Sequence, residues 1–190
     1  SHRFSGTPGM PARTTALSDR VRHVLVSRVR HPAQYIGGEV NQLVQSGAWA
    51  AAEVRVVIAF PDTYDVGISN LGTQILYWLA NHTPGVCAER TYCPRPDAEA
   101  VLRQQRIPLF TWDTRQPARD ADIFAVSLQY ELCFTNVLNL LDLAGIPLRA
   151  ADRTDDDPLV LAGGPQADNP EPMAEFLDLV VIGDGEHALA

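Results

Sequence analysis

The chain has 190 residues, 46 % of them apolar, and a formal net charge of −8. That length holds one domain with a substantial core, and the acidic balance argues against a nucleic-acid surface as its main business. No apolar run approaches the roughly 18 residues that a membrane span needs, and no charged-then-apolar leader opens the chain. Cys87, Cys93 and Cys133 stand in no C-x-x-C spacing and the five histidines are scattered. The expectation is three buried thiols in a reducing cytoplasm and no metal centre built within this chain. The cationic side chains are all Arg, and Lys is absent.

In chain order, residues 1–16 read as a disordered tail. Ser1 to about Pro11 has almost nothing to bury, and the residues before Met10 are read as expression-vector remnants. Residues 17–50 read as an N-terminal helical arm. Apolar positions at 17, 21, 24, 25 and 29 predict a helix over Leu17 to Val29, broken at His31-Pro32 and followed by a turn at Tyr35 to Glu39. Residues 51–190 read as an α/β domain.

The organising stretch of that domain is Glu53 to Ala80. The run Val54 to Phe60, stopped by Pro61, predicts a strand buried on both faces. Beyond a polar loop, Ile68, Leu71, Ile75 and Leu79 predict the inward stripe of a helix capped by Ser69. Gly85 to Tyr92 is a second, weaker strand, Asp97 to Gln105 a short helix, and Ile107 to Phe110 a brief edge strand. Asp122 to Leu128 is another buried strand. Leu132 to Ala144 is an apolar helix ended by Gly145, with Asn136, Asn139 and Asp142 as its exposed edge. Ile146 to Leu148 reads as a short strand, and Thr154 to Asp157 as a solvated loop. Pro158 to Ala162 is a strand, Ala174 to Leu177 is helical, and Leu179 to Ile182 is the last strand, with a further helix beginning at His187. This alternation predicts a doubly wound, mostly parallel sheet of about five strands.

A parallel sheet projects the loops after its strands from one edge, where ligands bind. Four such loops are unusual: Pro61 to Gly67, Gln129 to Glu131, Gly163 to Pro165 and Gly183 to Glu186. Their glycines let backbone approach a ligand closely, or the loops are simply tight turns. Gly67 and Gly72 have the spacing of a P-loop, but Thr73-Gln74 stands in place of Lys-Ser/Thr. The G-x-G-x-x-G fingerprint does not follow the first strand, and no G-x-S-x-G elbow occurs. The carboxylates Asp62, Asp65, Glu131, Asp184 and Glu186 are either paired acids and bases or caps of helices and turns, the commoner role.

The order Asp62-x-Tyr64-x-x-Gly67, Ser127-Leu128-Gln129, Gly163-Gly164 resembles the D-x-H-x-x-G … S-x-L … G-G signature of cobalamin-binding domains. Tyr64 replaces the histidine of that signature, and Gln129 its leucine. More closely, Arg30 to Glu39, Phe60-Pro-Asp62, Ser127 to Leu132, Leu143 to Leu148, Ala162 to Pro165, Asn169 to Pro172 and Val181 to Glu186 are similar to the N-terminal region of cobalamin-binding-domain-containing radical SAM proteins. The resemblance implies a flavodoxin-like accessory domain that precedes a radical SAM barrel, its partner in the same protein. That barrel would carry a [4Fe–4S] cluster and S-adenosylmethionine on a C-x-x-x-C-x-x-C motif, which this chain lacks.

The same resemblance implies cobalamin over the carboxyl edge of the sheet, near Asp62, Tyr64, Gly67, Ser127, Gln129, Gly163, Gly164, Gly183 and Glu186. Tyr64 is not a soft nitrogen donor, so cobalt would have no histidine ligand. A cofactor-less scaffold or partner-binding module of the same fold is the alternative. Flavin ranks last, because Asp62 and Asp65 would repel its phosphate. The fragment itself is expected to catalyse nothing.

Overall fold

The computed structural model describes residues 17–188; the expected tail at 1–16 and the chain beyond Ala188 lie outside them. Five strands, β1 Val54–Thr63, β2 Val86–Cys93, β3 Ile123–Ser127, β4 Leu159–Gly163 and β5 Leu179–Val180, form one sheet in the order β2-β1-β3-β4-β5. All four pairings are parallel. Helices α1 Leu71–His82, α2 Pro96–Gln105 and α3 Phe134–Ala144 flank it. This is the expected α/β fold, with the strand order of a flavodoxin-like domain.

β1 reads as it does because it is central. Val56 to Phe60 are all buried, with β2 on one side and β3 on the other. The strand does not stop at Pro61, as expected, but runs to Thr63. Phe60 pairs with Tyr92 and Thr63 with Cys93, so Pro61 and Asp62 bulge out of the ladder. A bulge tolerates a residue without an N–H.

Right-handed crossovers put α1 on one face of this strand order and α2 and α3 on the other. The side chains agree. Arg103 of α2 bonds Asp142 at 2.7 Å and Asn139 at 2.7 Å, and Asn139 donates to Glu99 at 2.9 Å. The polar stripe of α3 is therefore a seam between two helices rather than a merely exposed edge. Gly145 ends α3 in the left-handed region, at φ +74°.

α1 corrects the expected amphipathic stripe. Its buried residues are Thr73, Tyr77 and Ala80, whereas Leu71 is 68 % exposed. Its cap is Asn70, whose side chain accepts from the Thr73 N–H at 2.9 Å, and not Ser69. Ile107 to Phe110 forms no strand; Leu109 and Phe110 are buried and Phe110 makes a lone bridge to Pro117. Ile146 to Leu148 is also not a strand. Around Ala174 the chain makes a 3₁₀ turn, Glu171–Met173, and further turns rather than a helix.

The arm begins in helix at Leu17 and continues as a π-helical turn, Val21–Leu25. Leu17, Val21 and Leu25 join Val101 and Leu102 of α2 in one apolar cluster. Farther on, Val44 and Trp49 join the cluster that holds Tyr77 of α1. The arm thus starts against α2 and finishes against α1, passing the outer edge of β2.

Candidate functional site

The sheet reverses its chain order between β1 and β3, and the carboxyl ends of these strands define the crevice where such folds take ligands. The bulge brings Asp62 to this rim. Its Oδ2 accepts the Tyr130 hydroxyl at 2.7 Å, a bond that raises the Tyr130 pKa. Asn136 of α3 donates to the Pro61 carbonyl at 2.9 Å. The crevice is spanned by the protein's own groups.

Tyr64, in the helical turn Tyr64–Gly67 after β1, packs edge-on to Tyr92 with centroids 5.6 Å apart. Its hydroxyl donates to Glu39 of the arm at 2.5 Å. Burial and that carboxylate both raise its pKa. Beside it, Asp65 accepts from Gln34 at 2.6 Å and pairs with Arg95. Burial pushes the Asp65 carboxyl up, but the Arg95 and Gln34 hydrogen bonds outweigh it and hold the pKa below its ordinary value.

The rim glycines face the protein. A Cβ on Gly67 would lie 2.5 Å from the Tyr92 ring and 2.8 Å from Phe60. Gly164, at φ +105°, would place a Cβ 2.6 Å from the Leu128 carbonyl oxygen. Each close approach is to this chain's own atoms. Gly163 ends β4 opposite Ser127 and accepts from the Leu128 N–H at 2.7 Å. The Ser127 hydroxyl accepts from Gln129 at 2.7 Å. Gly183, at φ +107°, has nothing within 4 Å of a Cβ, and Glu186 lies exposed in the terminal turn. Asp62, Tyr64, Gly67, Ser127, Gln129, Gly163 and Gly164 all follow or end the β1, β3 and β4 strands, so one rim carries them.

A polar cluster at the β2 edge escaped the reading of the sequence. Arg90 bonds Asp113 at 2.7 Å, with both side chains essentially inaccessible. The guanidinium also lies 4.2 Å from the centre of the Tyr77 ring and donates to Asn41 of the arm at 2.9 Å. The Tyr77 hydroxyl accepts the Leu43 N–H at 2.9 Å and donates to Asp113 at 3.2 Å. Burial pushes its pKa up to about 12. Next in β2, Glu89 is wholly buried and accepts from Thr111, from the Thr114 N–H at 3.0 Å and from the Thr114 hydroxyl at 2.5 Å. Burial raises its pKa to about 7 against the pull of those donors. Trp112 donates its backbone N–H to the Arg90 carbonyl at 2.8 Å and its indole N–H to the Gln34 carbonyl at 2.5 Å. The cluster closes the open edge of the sheet and clamps the arm to it. The only hints in the sequence were adjacent Glu89-Arg90 inside a strand, a costly pair to bury unless partnered.

The three cysteines are free and buried. Burial pushes Cys87 and Cys93 up to about 12, which leaves them as thiols. Among the described residues, no three His, Cys, Asp or Glu side chains stand ready to hold a metal ion, and no helix is long and apolar enough to cross a membrane. Two clefts, of about 420 and 310 Å³, lie at the amino-terminal ends of the strands, one beside the start of β2 and one just before β3 and β4. Compared with known families, residues 72–190 match the one described as radical SAM proteins, N-terminal. No curated protein matches the chain.

Proposed function

The chain belongs to the family of radical SAM N-terminal domains, and from that premise we propose that it is a non-catalytic scaffold for the radical SAM domain linked to it. The family ties it to a protein that uses S-adenosylmethionine and an iron–sulfur cluster. Those cofactors and the radical chemistry belong to the linked domain. On this reading the arm at 17–50 and the domain at 51–190 act as one rigid unit.

The observation that carries the cofactor-less reading is that the rim is filled from within. Gly67 is occupied by Tyr92 and Phe60, and Gly164 by the Leu128 carbonyl. The residue at the place of the cobalt-binding histidine is committed to Glu39. These residues do not fit a corrin ring laid on the rim.

A second reading, cobalamin bound without a histidine ligand, draws support from the open side of the rim. Ser127, Gln129 and the unobstructed Gly183 would there face the nucleotide tail or corrin amides. The full-length protein, mixed with hydroxocobalamin and desalted, decides between them. The scaffold reading expects no retained corrin absorbance; stoichiometric retention overturns it.

A further inference from the structure

An apolar stripe on α1 faces outward. On α1, Leu71, Ile75, Trp78 and Leu79 recur at helical spacing, yet the helix buries Thr73, Tyr77 and Ala80 against the sheet. Leu71 is 68 % and Trp78 51 % exposed, with Ile75 and Leu79 half-buried. His82 extends the stripe by stacking on Trp78, ring centres 3.9 Å apart. A helix with apolar residues on both sides is normally covered on both, and a contiguous exposed apolar stripe marks an interaction surface.

The occupant is indicated by where the chain runs. The terminal turn, Gly185–Ala188, lies against α1, and a Cβ on Gly185 would come within 3.1 Å of Leu76. Leu76 lies next to the stripe, on the Leu79 side by helical geometry. Just before this turn stands Ile182, 68 % exposed. The turn therefore places the end of the described chain at the flank of the stripe. We infer that the outer stripe of α1, with Ile182, is the docking face for the linked radical SAM domain. The inference rests on the proposed linkage to that domain, but not on whether the rim takes a corrin.

The test is hydroxyl-radical footprinting of the full-length protein, read at Trp78 by mass spectrometry, alongside a double variant, Leu71→Glu with Ile75→Glu. Both substitutions point away from the core, so far-ultraviolet circular dichroism should be unchanged. In the unaltered protein, Trp78 should oxidise at least five-fold more slowly than in the variant. Equal rates overturn the inference. So does protection that disappears on dilution together with a fall from twofold to single mass in light scattering, which would assign the face to a second copy of the chain. Corrin retention, measured on the same samples, reports separately on the scaffold reading.

Discussion

The Tyr64 hydroxyl donates to the Glu39 carboxylate across 2.5 Å, tying the arm to the first residue beyond β1. A hydrogen bond to a charged acceptor contributes about 1.5–3 kcal/mol. Half-exposure of this pair favours the lower end. Tyr64→Phe should therefore lower stability by about 1–2 kcal/mol in urea denaturation without changing m. Tyr64→His restores the residue type of the cobalamin signature but leaves the filled glycines, so it should still retain no hydroxocobalamin after desalting.

Gly67 and Gly164 should be intolerant of a methyl group. Gly67→Ala drives a Cβ into the Tyr92 ring, and its cost should be about 1–3 kcal/mol. Gly164→Ala meets a backbone carbonyl and also holds alanine at a positive φ, so its cost should be the larger of the two. Gly183→Ala meets nothing and carries only the backbone penalty. Midpoints of chemical denaturation should rank Gly183→Ala above Gly67→Ala, and Gly164→Ala last.

Glu89 sets a pH dependence. Its pKa is raised to about 7 in the fold, above the value near 4.3 of an unfolded glutamate. The folded state binds this proton more tightly, so the contribution to stability is full below pH 4 and is lost as pH rises through 7. At roughly 1.4 kcal/mol per pKa unit the loss is on the order of 3 kcal/mol. Glu89→Gln removes the titration. Its stability, measured from pH 5 to 8, should fall less steeply than that of the unaltered protein; parallel profiles would contradict the burial argument.

The Arg90–Asp113 pair should be costly to break. Arg90→Met strands a buried carboxylate, for which about 3–5 kcal/mol is the ordinary loss. Because Arg90 also donates to Asn41, the variant should speed hydrogen exchange in the arm near Leu43 more than in α3.

The alternation of strands and helices was legible in residue order because strands covered on both faces must be apolar throughout, whatever lies far away. The run at Val54 and its neighbours in β3 and β4 need no distant information to be recognised. The gathering of Asp62, Tyr64, Ser127 and Gly164 on one rim follows from parallel pairing alone. What those residues do there could not be read the same way. A glycine in a loop is compatible with a ligand or with Tyr92, and only tertiary packing selects the ring.

The same limit governed α1 and the β2 edge. Helical spacing identifies an apolar stripe but not the direction it faces, and the aromatic face and hydroxyl of Tyr77 were recruited inward by Arg90, Asp113 and the arm. Arg90 and Asp113 are 23 residues apart, and no local pattern pairs them. Sequence by itself determined the layers and the rim, because both arise from local hydrophobic pattern. Tertiary structure decided which face is buried and which glycines are filled, because burial is a property of what arrives from elsewhere in the chain.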